Sequence, residues 1–311
     1  MKKIYLDIEE NHSSPDLEGL VRDFRSAVIE VRPLTENSWG DMAQALVLTD
    51  RQATADMASG RLSVEGSTIA LQGKAACVGY EPPGAGVTLS HVDMIVQGFE
   101  ELDVEFFRKA YQRCHDIPWT IARTDRLVLR ESVPDDFDVF YDMYRQPGMT
   151  DYMPGLSDDK EEERETFCAY IRRMYSFYGY GLWTVAEKAS GRVVGRAGME
   201  NGSFQGQSVP VIGYMIGAEY QRQGYGQEAV RAVAEYAFCE LEMERIYGFV
   251  HKKNQNSRRL IQRVGFRRIE ERCRMAVQMA GRTFEKDIAG YVCVNTKALY
   301  FPGKSITIGD E

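Results

Sequence analysis

The first 120 residues alternate between short apolar runs and amphipathic stretches. Apolar runs of about five residues predict buried strands, and apolar residues at intervals of three and four predict helices. We predict strands over 4–8, 45–49, 75–79 and 94–96, and helices over 17–28, 53–57 and 104–114. Strands that alternate with helices in this way predict a small parallel α/β domain.

Beyond residue 120 the pattern predicts a larger sheet. The predicted strands cover 126–130, 181–187, 193–199, 211–216, 245–251, 268–279 and 285–294, and the predicted helices cover 134–144, 157–175, 227–241 and 254–264. A turn at Ser190 and Gly191 is typical of a hairpin that joins two antiparallel strands. Glu200 then follows the second strand of this hairpin and is expected to begin a polar loop.

Net charge differs between the two halves of the chain. Residues 1–120 contain 11 Lys and Arg against 19 Asp and Glu, whereas residues 121–311 contain 27 of each. This change, together with Pro118, which ends a helix and extends its neighbour, indicates a domain boundary. We predict domains over 1–120 and 121–298 and a tail over 299–311. A second half without net charge argues against a nucleic-acid partner.

Cysteines, histidines and apolar runs exclude further classes of protein. The six cysteines form no Cys-x-x-Cys pair and the four histidines are scattered, so we expect no disulfide framework and no metal site. No apolar run approaches the length of a membrane span, and acidic residues come too early for a secretory signal. We therefore expect a cytoplasmic protein without a membrane partner, whose oligomeric state the sequence leaves open.

Residues 211–226, Val-Ile-Gly-Tyr-Met-Ile-Gly-Ala-Glu-Tyr-Gln-Arg-Gln-Gly-Tyr-Gly, join a buried strand to a helix through a glycine-containing turn. The free N–H groups in the first turn of a helix, and the helix dipole, favour a bound anion. Gly224 and Gly226 would let phosphates approach the backbone without an intervening Cβ. The stretch predicts a pyrophosphate site, although such turns also occur in proteins that bind no phosphate.

The motifs around this stretch follow a characteristic order. A hairpin and a central strand lead to Gln-x-x-Gly-x-Gly at 221–226, and a helix and a strand then lead to Asn-x-x-Ser at 254–257 and Gly-Phe at 265–266. This order resembles the GNAT acetyltransferases over about residues 124–280. The segment Tyr-Gln-Arg-Gln-Gly-Tyr-Gly-Gln-Glu-Ala is similar in particular to the branch that contains ribosomal-protein N-terminal acetyltransferases. The resemblance implies a mixed, mostly antiparallel sheet with a splayed strand pair, and acetyl-CoA as the co-substrate.

The resemblance also implies which residues hold acetyl-CoA. Backbone amides at 222–227 would bind the pyrophosphate, the end of the central strand would pair with the pantetheine amides, and Lys252 or Lys253 would meet the outer phosphates. The implied cofactor-binding residues are Met215, Ile216, Gly217, Gln221, Arg222, Gln223, Gly224, Tyr225, Gly226, Gln227, Asn254 and Ser257.

Acetyl transfer from a thioester to an amine needs a neutral amine, a stabilised oxyanion and a proton for the leaving thiolate. The family often places a basic carboxylate where this chain has Val211, and an acidic tyrosine where it has Ile261. We therefore predict Glu200 as a substitute base, with a solvated turn residue as the alternative. Tyr214, Ser257 or water would supply the proton. A non-catalytic acyl-CoA sensor is the alternative function.

Aromatic residues concentrate upstream of the central strand, where the family forms its acceptor wall. We predict that Tyr152, Tyr180 and Trp183 line the acceptor site, although packing in the core explains most aromatic residues there. Acidic residues over 157–165 either begin a solvated helix or form a rim that attracts a cationic acceptor. The acceptor amine is left open among peptide N-termini, polyamines and amino sugars.

The function of residues 1–120 is not indicated by the sequence. Thr49 and Asp50 follow a predicted strand, at the end where α/β proteins bind ligands. The ending Leu-Val-Leu-Thr-Asp is faintly similar to a motif of haloacid-dehalogenase-type phosphatases, but the Asp-x-Asp-x-Thr nucleophile motif of that family is missing. A helix cap is the better interpretation of Asp50.

Overall fold

The computed structural model describes residues 1–40, 42, 44–60, 75–273, 277–279, 282–284, 288–294 and 307–308. The chain forms two compact units, Met1–Trp119 and Thr120–Glu311. The sequence-based expectation of an α/β fold, with a parallel sheet first and a mixed, mostly antiparallel sheet after it, is confirmed.

The first unit is a parallel sheet with helices on both faces. Its strands are β1 Lys3–Asp7, β2 Glu30–Pro33, β3 Ala45–Thr49, β4 Ala76–Tyr80 and β5 Met94–Val96, and its helices are α1 Pro15–Ser26, α2 Gln52–Ala58 and α3 Val104–Cys114. The strands lie in the order β2-β1-β3-β4-β5, with every recorded pair parallel. Strand β2 was not predicted, because this edge strand is largely exposed and lacks an apolar run.

Every residue of β3 and β4 is buried, as expected for central strands covered on both faces. Alternate side chains enter two separate clusters: Leu46 and Val78 pack with residues of α1 and α3 on one face, and Val47 and Cys77 pack with residues of α2 on the other. This division of the core explains why the strands read as continuous apolar runs.

Asp50 does not cap a helix, contrary to the sequence-based interpretation. The N-cap position of α2 is Arg51, which makes no side-chain cap hydrogen bond. The Asp50 carboxylate instead lies 2.6 Å from Nδ1 of His12 and accepts from the backbone N–H of Glu9. It therefore fixes the loop after β1, a tertiary contact that the local sequence does not encode.

The second unit is built on one large sheet. Its strands are β6 Thr120–Arg123, β7 Leu127–Arg130, β8 Leu182–Glu187, β9 Val193–Phe204, β10 Gln207–Ile216, β11 Arg245–His251, β12 Arg267–Cys273, β13 Val277–Met279, β14 Arg282–Phe284, β15 Ile288–Val294 and β16 Thr307–Ile308. Its helices are α4 Phe137–Tyr144, α5 Lys160–Phe177, α6 Tyr225–Cys239 and α7 Gln255–Arg263. The described strands lie in the order β12-β15-β11-β10-β9-β8-β7-β6-β16, while β13 and β14 pair with each other. Only β10 and β11 pair in parallel in the large sheet, among the strands that the structure describes.

The predicted polar loop after Glu200 is wrong. Strand β9 continues to Phe204 and β10 begins at Gln207, so Glu200 lies inside a long hairpin. The turn falls at Gln205 and Gly206, whose φ angles of 53° and 79° are the pair of positive values that tight hairpins use. Asn201 and Gly202 resemble a turn in sequence, but cross-strand pairing holds them extended.

The acidic run that precedes α5 serves the start of that helix. Asp159 is its N-cap and accepts from the backbone N–H groups of Glu161 and Glu162. Glu163 is buried and accepts from the N–H of Ser157 at 2.6 Å. These contacts agree with the helix-start alternative for 157–165.

Within the described ranges, no helix is long and apolar enough to cross a membrane. The same residues contain no group of three or more His, Cys, Asp or Glu side chains arranged to hold a metal ion.

Candidate functional site

Strand β10 and helix α6 are joined by an exposed turn. After a 3₁₀ turn at Ala218–Tyr220, residues 221–224 are exposed and α6 begins at Tyr225. Gly224 is the N-cap, with a φ of 87°, and Arg222 also has a positive φ, of 60°. The first N–H groups of α6 have no partner in their own helix, so this end of the helix can bind an anion.

The two glycines of the turn have different roles. A Cβ on Gly224 would lie 3.2 Å from Nη2 of Arg126, and its left-handed backbone explains why glycine is needed there. A Cβ on Gly226 would instead point inward, 2.9 Å from Cδ1 of Leu260 and 3.5 Å from Cγ1 of Ile216. The missing side chain of Gly226 therefore makes room for packing of α6 against Leu260 and Ile216, and the approach of a phosphate to its backbone stays a prediction.

Arg126, which was not predicted as a site residue, holds the turn in place. Its Nη1 donates to the carbonyl oxygen of Gln223 at 2.9 Å, and its Nε donates to Oε2 of Glu228 at 2.8 Å. The guanidinium carbon lies 4.5 Å from the centre of the Tyr225 ring. No local pattern marks Arg126, because its partners lie about a hundred residues away, in the turn and on α6.

Other side chains of the turn are also bound to the protein. Nε2 of Gln221 donates to the carbonyl of Ile216 at 3.0 Å, and Nε2 of Gln223 donates to that of Glu219 at 2.8 Å. The Tyr225 hydroxyl donates to Oε1 of Glu187 at 2.5 Å. These predicted cofactor residues therefore shape the turn with their side chains. The N–H of Gln221 donates to the carbonyl of Ala218, so the N–H groups that can face a ligand lie after it, at the start of α6. The structure records no side-chain contact for Gln227.

A gap opens between β10 and β11 beside this turn. Their recorded pairing is Val211 with Tyr247, and among the described residues it goes no further toward the ends of the strands. The N–H of Gly217 donates to the carbonyl of Val194 on the opposite side of β10. Because bonding directions alternate along a strand, Met215 and Gly217 face β9, whereas Tyr214 and Ile216 direct their backbone groups toward the gap. The pairing thus favours Tyr214 and Ile216 over Met215 and Gly217 as ligand contacts.

Tyr214, Ser257 and Asn254 meet beside the gap. The Tyr214 hydroxyl lies 2.5 Å from Oγ of Ser257, and Oδ1 of Asn254 accepts from the Ser257 N–H at 3.0 Å as the N-cap of α7. Burial raises the pKa of Tyr214 well above its usual value, an effect that the hydrogen bond with Ser257 offsets only in part. Tyr214 therefore keeps its proton at neutral pH, and the amide nitrogen of Asn254 is left as a donor. Lys252 and Lys253 lie in the adjoining loop before α7.

Glu200 lies on the other face of the sheet. It is buried, with 5% of its surface exposed, and pairs directly with Val211 across the hairpin. Tyr214 pairs with Ala197, an odd number of positions from Glu200, so the two side chains point to opposite faces. The three predicted catalytic residues thus form two groups: Glu200 on one face, and Tyr214 with Ser257 on the other.

The predicted acceptor wall is only partly assembled. Tyr152 is 38% exposed, and its ring centre lies 5.1 Å from that of His251 at the end of β11. The Tyr180 hydroxyl donates to Oδ1 of Asn201 at 2.6 Å, next to Glu200 in sequence. Trp183, however, is fully buried, with its ring 5.1 Å from that of Tyr236 on α6.

The assignment of Trp183 to the acceptor wall is corrected by this packing. Trp183 pairs with Ala197, so its side chain shares the face of Tyr214 rather than that of Glu200. Period-two alternation fixes the relative faces of residues in one strand, but only cross-strand pairing shows which face meets α6.

Comparisons with known proteins agree with this geometry. The model of the acetyltransferase (GNAT) domain matches residues 126–267. The chain is 31% identical to the uncharacterized protein YkkB of Bacillus subtilis over 143 residues, which are 46% of this chain and 82% of that protein. This chain belongs to the GNAT acetyltransferase family. It is thus an N-acetyltransferase of a family whose members use acetyl-CoA.

Two further similarities were found. The chain is 27% identical to the uncharacterized N-acetyltransferase YoaA of Bacillus subtilis over 153 residues, 48% of this chain and 83% of that protein. Among solved structures, it resembles Mycobacterium smegmatis RimJ in complex with CoA-disulfide, with 17% identity and a TM-score of 0.46 over 58% of this chain and 89% of that one. The family match lies wholly within the second unit.

The turn and the gap fit the co-substrate of GNAT enzymes. The start of α6 offers backbone N–H groups to a diphosphate, and the unpaired part of β10 offers backbone groups to an extended chain of amides. The two features are consecutive in the chain, since β10 ends at Ile216 and α6 begins at Tyr225.

Proposed function

We propose that this protein transfers the acetyl group of acetyl-CoA directly to a primary amine in a ternary complex. The observation that carries the proposal is the adjacency of two features: the left-handed Gly224 at the start of α6, and the stretch of β10 beyond Val211 that has no partner on β11. An anion site followed by an open strand edge suits a ligand with a diphosphate at one end and amides along its arm.

The proposed binding mode uses mostly backbone groups. The N–H groups of 222–227 would bind the pyrophosphate, and the backbone of Tyr214 and Ile216 would pair with the pantetheine amides. The amide nitrogen of Asn254 would donate to the arm, and Lys252 or Lys253 would neutralise outer phosphates. Arg126 would contribute indirectly, because it holds the carbonyl of Gln223 and so orients the turn.

The proposed chemistry separates its proton steps between two faces of the sheet. Glu200 would remove a proton from the incoming ammonium, and the freed amine would attack the thioester carbon as the carbon–sulfur bond breaks. A backbone N–H near Ile216 would stabilise the oxyanion. The leaving thiolate would receive its proton from Tyr214, Ser257 or water; burial raises the pKa of Tyr214, so this phenol is protonated and has a proton to donate.

The acceptor class is proposed as a primary amine of a peptide N-terminus, a polyamine or an amino sugar. Support for a peptide comes from the segment around 220–229, which resembles the branch that contains ribosomal-protein N-terminal acetyltransferases. The residues that would decide among the three classes lie on the face of Glu200, where the amine would enter.

The test is titration of acetyl-CoA by calorimetry, with a matched pair of variants. Gly224→Glu places a negative side chain in the proposed pyrophosphate site, and we expect it to abolish binding. Gly191→Glu introduces the same side chain at another left-handed glycine, with a φ of 70° and no atom near its Cβ position, and should leave binding unchanged. Equal affinity in both variants would refute the proposed cofactor site. Absence of product in an amine screen, despite tight binding, would favour the acyl-CoA sensor.

A further inference from the structure

A row of side chains crosses four strands on the face of Glu200. Pairing places Glu200 of β9 opposite Val211 of β10, Val211 opposite Tyr247 of β11, and Tyr247 opposite Val292 of β15. Paired positions share a face and lie about 5 Å apart. The row therefore begins with a buried carboxylate and continues with three apolar or aromatic side chains. It lies on the face of the sheet opposite to that of Tyr214.

Aromatic rings extend this row into a surface. The ring centre of Phe204 lies 5.5 Å from that of Tyr247 and 6.1 Å from that of Phe249. Phe204 belongs to the end of the β9–β10 hairpin, and a Cβ on Gly202, on the same face of β9, would lie 2.5 Å from Cγ2 of Val211. We call Phe204, Val209, Val211, Tyr247, Phe249 and Val292 the apolar shelf.

The apolar shelf is not closed like the rest of the core. Val209, Val211 and Tyr247 are buried, whereas Phe204, Phe249 and Val292 are only partly buried. Val211 is the shelf residue that pairs with Glu200, and the partly exposed rings of Phe204 and Phe249 lie farther away. A partly exposed apolar surface that begins beside a buried carboxylate is the kind of surface that a ligand covers. Glu200 also interacts with Tyr144 of α4 and Tyr170 of α5, and from Glu200 the shelf continues across β10, β11 and β15.

The charges around the shelf limit what can bind there. Buried Arg196 points to the same face as Glu200, and their charges interact. At the far end of the row, opposite Val292, the next residue is Arg267 on β12. A ligand whose ammonium reaches Glu200 would therefore find apolar side chains and then a cation farther along the row.

The three acceptor classes differ in how well they suit these apolar and charged side chains. A polyamine would bring a second ammonium toward apolar side chains and an arginine, which costs free energy because the charge loses water without gaining a partner. An amino sugar would bring hydroxyls that need hydrogen-bond partners, and the shelf has none to offer apart from the hydroxyl of Tyr247. An aromatic or branched apolar group would bury its surface against the shelf.

We propose that the acceptor is a primary amine that carries an aromatic or branched apolar group, with the amine at Glu200 and this group on the apolar shelf. The inference rests on the proposed function, because it assumes that acetyl transfer takes place on this face. The acceptor ammonium gives one proton to Glu200, and the neutral amine then forms the amide bond as the carbon–sulfur bond breaks. The second nitrogen proton passes through water to the thiolate and gives the free thiol. Two sources share this chemistry: a free arylalkylamine, and a peptide that begins with an apolar residue.

The test compares kcat/KM for phenylethylamine, a phenylalanine-initiated dipeptide amide, spermidine, glucosamine and methylamine at saturating acetyl-CoA. We expect the two aromatic amines to exceed the other three by about tenfold or more, the range that one hydrophobic contact provides. The better of the two aromatic amines identifies the source. Preference for spermidine or glucosamine would overturn the inference. Calorimetry of each amine with the CoA-loaded protein gives the same ranking even without turnover, and no advantage for the aromatic amines in binding or turnover would also overturn it.

Variants assign the preference to the shelf. Phe249→Ala should reduce the ratio of kcat/KM for phenylethylamine to that for methylamine about tenfold, while Phe249→Leu, which keeps an apolar group, should retain most of it. Phe177→Ala removes an aromatic ring that is 76% exposed on α5, outside the shelf, and should leave the ratio unchanged. Acetyl-CoA affinity, measured alongside, separates the two proposals. A wild-type protein that does not bind acetyl-CoA would refute the proposed function. Normal acetyl-CoA binding with an unchanged ratio in Phe249→Ala would refute only the role of the shelf.

Discussion

Arg126 and Glu228 form an ion pair, with Nη2 and Oε2 2.7 Å apart, that joins the start of β7 to the first turns of α6. The same carboxylate accepts from the Thr124 hydroxyl at 2.6 Å and from the Arg126 backbone N–H at 2.9 Å. Because Arg126 also donates to the carbonyl of Gln223, the pair connects the sheet to the turn in which acetyl-CoA is proposed to bind. The conformation of the turn thus depends on Arg126, a residue distant from it in sequence.

We expect Arg126→Gln to weaken acetyl-CoA binding about tenfold, since charge-assisted hydrogen bonds are among the stronger contacts of a folded protein. Arg126→Lys should show a smaller loss, because an ammonium keeps the charge but cannot bond Gln223 and Glu228 with the geometry of a planar fork. Steady-state kinetics should show a rise in KM for acetyl-CoA with a smaller change in kcat.

The control for Arg126 is Arg245→Lys, at a side chain that is 54% exposed and pairs with Glu244 at the start of β11. It should leave KM for acetyl-CoA unchanged. An Arg126→Gln variant that lowers kcat at unchanged KM would contradict a role in positioning the turn.

Glu228 makes stability dependent on pH in the acid range. Burial alone would raise the pKa of Glu228, but hydrogen bonds from Thr124 and Arg126 outweigh it and hold that pKa below the ordinary value. A lowered pKa in the folded state gives stability that is present above the unfolded pKa of about 4.3 and is lost as pH falls through the folded value. Melting temperatures of wild type and Glu228→Gln should differ at pH 7 and converge below about pH 4. A difference that does not change between pH 7 and pH 3 would contradict this linkage.

The two glycines of the turn should respond differently to alanine. Gly224→Ala forces a Cβ into a left-handed backbone, which costs about 1–2 kcal/mol, and should lower both the melting temperature and acetyl-CoA affinity. Gly226→Ala meets only the flexible end of Leu260, and the helix propensity of alanine offsets part of the crowding by about 1 kcal/mol. We expect Gly226→Ala to bind acetyl-CoA nearly as well as wild type. Loss of affinity in that variant at an unchanged melting temperature would mean that phosphate does approach the backbone at Gly226.

Glu200 and Val211 are paired across the hairpin and their side chains project from the same face of the sheet. A carboxylate at position 211 would therefore lie close to the position of the Glu200 carboxylate. Glu200→Gln should lower kcat by about 10²- to 10⁴-fold if Glu200 is the general base. Adding Val211→Glu to that variant should recover part of the rate, because its carboxylate would project from the paired position on the same face. The pH–rate profile provides the check: the acidic limb should vanish in Glu200→Gln and return in the double variant. Full activity in Glu200→Gln would refute the assignment.

Local sequence was sufficient for features that depend on neighbours in the chain. The helix Val104–Cys114 and the strands Ala45–Thr49, Met94–Val96 and Arg245–His251 lie where the apolar spacing predicts them. The turn before α6 was also predictable, because a buried strand, two glycines and an amphipathic helix occur consecutively. Asn254 and Ser257 lie three residues apart, and their capping interaction needs no distant partner.

Other features depended on contacts between distant segments. Glu200 appeared to end a strand because Asn201 and Gly202 resemble a turn, yet pairing with β10 carries β9 on to Phe204. Trp183 could not be assigned to a face until β8, β9 and α6 were packed together.

The sequence by itself determined the family and most of the order of elements, and it predicted an anion-binding turn, since these follow from residues close together in the chain. Tertiary structure decided which predicted side chains share a face, and it alone revealed Arg126, whose partner Glu228 is 102 residues away. The physical reason is that alternation along a strand defines two faces without saying what each one meets. Cross-strand register and helix packing supply that information, and they divide the predicted catalytic residues between the two faces of the sheet.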